Sequence, residues 1–180
     1  MTYAIVGLGA IGQALARAFA RKGVKVMVVS MRPPEALVPR AREIGPTIVP
    51  TSLQDAFEAD IIFLPVPFSQ HCEVAKAAAS WQGKIVVDVT NAFGVPVEEL
   101  GVLPSSAVVG RGLPGARVVK GFNHLGAAML GSDPDVKGGR RVVFLSGDDE
   151  QAAAPVNALA DELGFAPVWL GKLAEGRALV

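Results

Sequence analysis

The chain has 180 residues, enough for one ordinary domain with a single continuous core. About half of them are apolar and 17 Lys and Arg balance 17 Asp and Glu, a globular composition without the overall field that suits a nucleic-acid backbone. The one cysteine cannot form an internal disulfide, the two histidines are too few for a separate metal site, and no apolar run approaches the roughly 20 residues of a membrane span.

From the N-terminus, a β-branched run at residues 4–6 leads into Gly7-Leu8-Gly9-Ala10-Ile11-Gly12. Ile11, Leu15, Ala18 and Phe19 then recur at helical spacing and Gly23 closes the pattern, so a helix is predicted over 11–22. Arg17, Arg21 and Lys22 follow the apolar stretch instead of leading it, which is unlike a secretory signal and makes the cytoplasm the expected location. A strand is predicted at 24–29; Pro33, Pro34 and Pro39 shorten the helix after it. Ser52 with Asp55 three residues later forms a helix-capping pattern. Strands at 61–64 and 85–89 enclose an alanine-rich helix at 70–80. Residues 95–115 read as a Gly- and Pro-rich connector with a short helix at 105–109, followed by strands at 118–119 and 142–145. A helix at 150–163 and a strand at 166–170 complete the pattern.

Alternation of this kind predicts an α/β fold, a Rossmann-type doubly wound and mostly parallel sheet with helices on both faces. Residues 1–180 are expected to form a single domain, its last unit from about 140 to 180 extending the sheet.

The hexapeptide after the first strand fits G-x-G-x-x-G. Gly7 suits a tight turn, Gly9 lets backbone approach a pyrophosphate, Gly12 lets helix pack on strand, and the phosphates meet the helix N-terminus. About 20 residues on, where NAD-specific folds place an acid on the ribose, the chain has Ser30, Met31 and Arg32. A carboxylate there would repel a 2′-phosphate. Ser30 can donate to one and Arg32 can fork onto it, each such bond contributing roughly 1.5–3 kcal/mol. NADP is the expected cofactor, at Gly7, Leu8, Gly9, Ala10, Ile11, Gly12, Ser30, Met31 and Arg32.

These features, together with Leu64-Pro65-Val66-Pro67-Phe68, the stretch from Gly83 to Asn91, the stretch from Pro114 to Asn123, and Ser146-Gly147-Asp148-Asp149, resemble the coenzyme F-420-dependent NADP oxidoreductase family, itself similar to the cytoplasmic reductase domain of STEAP ferric reductases. The resemblance implies that Val66, Pro67 and Phe68 lie over the cofactor and that Thr90, Asn91 and Ala92 flank the nicotinamide. It further implies that Gly121, Phe122, Asn123 and His124 border the acceptor ring, with Asn123 and His124 the candidate catalytic side chains. Three positions depart from the family pattern: Met31 replaces the first arginine of the phosphate clamp, Gly121 a common alanine and His124 a common threonine. His124 is read either as a proton donor or hydrogen-bonding partner of the acceptor, or as a structural ring beside Leu125. Without the resemblance, the prolines are also read as loop punctuation and Phe68 as a core ring.

Many dehydrogenases with this N-terminal signature append a helical substrate domain, for which only residues 171–180 remain. The acceptor is therefore expected on the open face of the nicotinamide or between two subunits, and a homodimer is expected. A flat deazaflavin (coenzyme F-420) or flavin ring meets that restriction, and the hydride then passes between rings without a protein nucleophile. The other readings are a non-catalytic NADPH-binding or redox-sensing module, and a ferric or flavin reductase component of a larger assembly. No metal, membrane or nucleic-acid partner is expected.

Overall fold

The computed structural model describes residues 1–101 and 103–176. Residue 102 of the connector and residues 177–180 of the expected last unit lie outside the described residues.

In chain order the elements are β1 (Tyr3–Val6), α1 (Ala10–Arg21), β2 (Val26–Val29), a 3-10 turn (Pro34–Leu37), α2 (Val38–Ile44), β3 (Ile48–Pro50), α3 (Leu53–Ala56) and β4 (Ile61–Leu64). A second 3-10 turn (Phe68–Gln70) leads into α4 (His71–Ala77), β5 (Ile85–Asp88), α5 (Val97–Leu100), α6 (Ser105–Gly112), β6 (Arg117–Gly121) and α7 (Ala127–Gly131). Then come β7 (Asp135–Val136), β8 (Gly139–Arg140), β9 (Val142–Gly147), α8 (Glu150–Glu162), β10 (Ala166–Trp169) and α9 (Leu173–Gly176).

Eight strands form one sheet in the order β10-β9-β6-β5-β4-β1-β2-β3. Every neighbouring pair is parallel except β6 with β9. The strand order reverses between β1 and β4, the switch point at which doubly wound sheets open a crevice above the strand C-termini. Apolar residues from both faces explain the burial: β4 and β5 are wholly buried, and as central parallel strands they read as continuous Ile-Val-Phe-Leu runs rather than alternating ones.

On one face, α1 supplies Leu15 and Phe19 and α8 supplies Val156 and Leu159 to a core that includes Phe63, Phe122 and Phe165. Within it Tyr3, Phe19, Phe63, Phe122 and Phe165 meet successively edge to face, with ring centroids 5.5–5.9 Å apart. The opposite face packs Phe57, Val74, Trp81, Val109 and Leu113 against the other side of the strands. No helix among the described residues is long and apolar enough to cross a membrane.

The structure differs from the sequence expectation at several points, and α7 with the β7–β8 pair was not expected between residues 119 and 142. The helix expected over 70–80 begins as a 3-10 turn at Phe68 and ends at Ala77. The short segment expected at 105–109 runs on to Gly112 as α6. Edge strand β3 was not expected: it has three residues and ends on Pro50, and proline tolerates such an edge because no further ladder donor is required there.

Asp149 ties the last unit to the centre. Its carboxylate caps α8 by accepting from the N–H groups of Gln151 and Ala152, and grips Arg117 at the start of β6 at 2.6 and 3.0 Å. The Arg117 guanidinium, assisted by those N–H groups, holds the carboxyl at about 2, below its ordinary 3.8. A depressed carboxyl stabilises the fold above the unfolded value and loses that contribution as pH falls through the folded one. Asp149→Ala is expected to lower the melting temperature by a constant margin from pH 7 down to about 4, with the margin closing toward pH 2. A margin independent of pH over that whole range would show that the ion pair contributes nothing.

Candidate cofactor and acceptor site

Because β1, β2, β4, β5 and β6 are parallel, the loops that follow them share one edge of the sheet. Every residue expected at the site from sequence lies in one of these loops, at the strand end before it, or in the first turn of α1.

The glycine turn is sterically specified at two positions and open at the third. Gly7 has φ +110°, donates to the Val29 carbonyl at 2.8 Å, and lies under Val66, whose Cγ1 would stand 3.0 Å from a side chain at Gly7. A Cβ at Gly12 would sit 1.9 Å from the Gly7 carbonyl oxygen, so helix and turn can approach this closely only without one. At Gly9 a Cβ would meet no protein atom within 4 Å. Gly9 is the N-cap of the twelve-residue α1, and neither a capping side chain nor an acid occupies the first turn. The leading N–H groups of α1 therefore face outward with the positive end of the helix dipole. A diphosphate fits this arrangement. Leu8 and Ile11 pack partly on the core, the Leu8 carbonyl accepts from the Gln13 side chain at 3.1 Å, and Ala10 is exposed.

At the end of β2, Ser30 Oγ accepts from the Arg32 N–H at 3.1 Å, leaving its own O–H free to donate outward. Arg32 and Met31 are exposed, and Arg32 has no ion-pair partner among the described residues. This edge has the chemistry for a 2′-phosphate: one hydroxyl, one uncommitted guanidinium and no acid in the Ser30–Arg32 segment.

After β4, Val66 and Phe68 pack partly against the second core face while Pro67 is exposed. Phe68 leans on the His71 ring with centroids 4.8 Å apart, and His71 Nδ1–H donates to the Phe68 carbonyl. The imidazole thereby fixes the loop, and its Nε2 lies 3.3 Å from Cys72 Sγ. Phe68 thus packs partly on the core, one of the two roles weighed from sequence.

After β5 the chain forms a polar lattice. Thr90 N–H donates to Asp88 Oδ1 at 2.9 Å; Asp88 Oδ2 accepts from Lys120 Nζ at 3.2 Å, and Lys120 also donates to the Thr90 carbonyl. Asn91 donates to the Asn123 carbonyl at 2.8 Å, and Asn123 donates back to Asn91 Oδ1 at 3.1 Å. The buried Asp88 and the part-buried Lys120 are partners across the β5–β6 register. This pair holds the two loops together, yet sequence gives it little weight: the residues are 32 positions apart and only the sheet makes them neighbours. A charge ending each of two β-branched runs, Ile-Val-Val-Asp and Val-Val-Lys, was the available signal. Ala92 is half-buried beside this lattice.

The segment expected beside the acceptor is only partly available. Phe122 has φ +61° and no exposed surface, its ring locked between Phe63 and Phe165. Gly121 is buried, and a Cβ there would fall 2.3 Å from Leu145 Cδ2. The Phe122 ring and Gly121 are therefore core elements, so this segment can border an acceptor only through its backbone and the side chains beyond Phe122. Leu145 fills the space an alanine would need, which gives the departure at Gly121 a packing cause. His124 Nε2 lies 3.3 Å from the Val142 carbonyl and its ring packs on Phe144, while Nδ1 is buried without a protein partner. Burial holds its pKa below the ordinary 6.5, so the ring is neutral at pH 7. These contacts favour the structural reading of His124. Asn123 is half-buried with its amide on Asn91.

Sheet order and glycine turn define a Rossmann-type α/β fold with a dinucleotide-type turn. The chain belongs to the coenzyme F-420-dependent NADP oxidoreductase family, whose model matches residues 2–92. Metalloreductase STEAP3 of Rattus norvegicus is 30% identical over 176 residues, 96% of this chain and 34% of STEAP3. The chain thus spans about a third of the length of that relative. A hypothetical protein from Sinorhizobium meliloti superposes with a TM-score of 0.92 at 41% identity, covering 98% of this chain and 87% of its own. A protein from Arthrobacter sp. FB24 assigned as an F-420-dependent NADP-reductase gives 0.80 at 26% identity, covering 99% of this chain and 88% of its own.

Proposed function

We propose that the chain holds NADPH across the edge formed by Gly7–Gly12, Ser30–Arg32, Val66–Phe68 and Thr90–Ala92, and serves hydride transfer to a deazaflavin (coenzyme F-420) or flavin ring. The observation that carries this reading is the open position at Gly9, on a helix N-terminus whose neighbours Gly7 and Gly12 are sterically fixed. NADPH supplies the hydride and is left as NADP⁺, while the acceptor ring gains that hydride together with one proton from solvent.

The chain's residues bind and orient. The α1 N–H groups take the diphosphate, Ser30 and Arg32 take the 2′-phosphate, and Val66 with Phe68 presents an apolar wall. The Asn91–Asn123 amide pair fixes the two loops that face the reacting rings. No nucleophile is required, and the contact of neutral His124 with Val142 supports its structural reading. Stopped-flow mixing of NADPH-loaded protein with F-420, FMN and riboflavin tests the reading. Oxidation of NADPH faster than in free solution by at least one of them is expected; no acceleration with any would leave only a nucleotide-binding role.

Arg32→Ala is expected to weaken NADPH binding by roughly 1.5–3 kcal/mol, about ten- to a hundredfold, and to leave NADH binding nearly unchanged. Fluorescence titration of both nucleotides reads this directly, and equal losses would remove the 2′-phosphate assignment. Likeness to STEAP3 supports a second reading, electron delivery to a flavin or ferric acceptor within a larger protein. Including a ferric chelate among the stopped-flow acceptors separates the two readings.

A further inference from the structure

Phe93 is 87% exposed, more than any other large apolar side chain among the described residues, while the other phenylalanines are buried or half-buried. It directly follows Thr90, Asn91 and Ala92 on the loop after β5. Val95 N–H donates to the Ala92 carbonyl at 3.3 Å and Gly94 has φ +74°, so residues 92–95 form a turn whose third position favours glycine. Phe93 holds the second position, at the tip. A Cβ at Gly94 would meet no protein atom within 4 Å, so the tip stands clear of the fold. Its base is fixed: the Asn91 and Asn123 amides tie it to the loop after β6, and Thr90 is held by Asp88 and Lys120.

A bare aromatic ring on a turn forfeits the stabilisation that burial brings, and turn tips otherwise favour polar residues, proline or glycine. No charged residue occurs between Asp88 and Glu98, so the turn itself offers an apolar face and no ion partner. An aromatic face held out on an anchored base pairs well with another flat ring by offset stacking, and the anchored backbone has little freedom left to lose on binding. The turn extends the loop that the proposed function sets beside the reacting rings. We infer that Phe93 is the stacking residue for the acceptor, covering the ring face turned away from the nicotinamide and selecting planar acceptors. The inference rests on the proposed function for the placement of an acceptor at this edge.

The full chain loaded with NADP⁺ has no hydride to give, so titration with oxidised F-420 and with lumiflavin, a flavin ring without its ribityl chain, reads acceptor binding alone through ring fluorescence. Saturable binding of at least one of them is expected, and Phe93→Ala should weaken it about tenfold, the scale of one aromatic stack. Phe93→Trp should keep the wild-type affinity, whereas Phe93→Leu, apolar but not flat, should lose most of what Phe93→Ala loses. All three variants should melt with the wild type, since so exposed a side chain contributes little to the fold. NADPH affinity, measured on the same samples, should stay constant.

Equal ring affinity in wild type and Phe93→Ala would overturn the inference, as would absence of ring binding to the wild type. Wild-type affinity in Phe93→Leu would reduce the contact to a plain apolar one and overturn the stacking. A loss of NADPH affinity in Phe93→Ala that matches the loss of ring affinity would overturn it too, by assigning Phe93 to the nicotinamide. Sedimentation velocity should give wild type and Phe93→Ala the same mass; a wild-type oligomer that dissociates in the variant would instead give the ring to a contact between copies. If ring binding depends on Phe93 while no acceptor oxidises NADPH in stopped flow, the stacking stands and the hydride reading falls.

Discussion

Lys120→Met is expected to destabilise the protein by about 3–5 kcal/mol, because it strands a carboxylate with no exposed surface. Asp88 lies in the most buried part of the sheet, and its cationic partner among the described residues is Lys120 at 3.2 Å, itself only 14% exposed. Removing the cation also deprives the Thr90 carbonyl of its donor, and with it the register of the Thr90–Asn91 loop. Combining Lys120→Met with Asp88→Asn should recover much of the loss, since a neutral amide oxygen still accepts from Thr90 N–H and no charge is left unpaired. Urea denaturation of wild type, both single variants and the double variant closes the cycle. A cost below about 1 kcal/mol for Lys120→Met would mean that the carboxylate finds water or another donor.

Gly9→Ala and Gly12→Ala are expected to separate binding from folding. A methyl at Gly12 would collide with the Gly7 carbonyl oxygen, a backbone atom that cannot swing aside, so that variant should lose both stability and NADPH. Gly9 has φ −72°, ordinary for alanine, and open space where the methyl would go. Its Ala variant should change stability by no more than about 1 kcal/mol, the weaker cap being offset by reduced freedom of the unfolded chain. It should nevertheless lose NADPH affinity by at least about a hundredfold, roughly 2.7 kcal/mol, because the methyl occupies the space the diphosphate needs. Thermal melts with parallel titrations distinguish the two variants. Wild-type NADPH affinity in Gly9→Ala would show that nothing approaches the backbone there.

What could be read in sequence follows from how local each feature is. The glycine turn, the amphipathic run of Leu15, Ala18 and Phe19, and the continuous strands around Phe63 and Val87 are set within a few residues of one another, and period and turn chemistry reveal them. Ser30 and Arg32 were legible by their distance from the glycines, since a βαβ unit has nearly fixed length. The Asp88–Lys120 pair and the filling of the Gly121 space by Leu145 depend on sheet register and on β9 turning antiparallel against β6. No local pattern carries that information. Phe122 shows the same limit: a segment associated with an acceptor also has to seal the core, and only packing reveals that its ring points inward.

The central claim is that a diphosphate meets bare backbone at the start of α1 while a 2′-phosphate meets Ser30 and Arg32. Titration of the unmodified protein with NADPH and with NADH tests it most directly. Saturable binding of both, with NADPH favoured about tenfold or more, is the predicted result. Absence of binding for either nucleotide, or tighter binding of NADH, would contradict it.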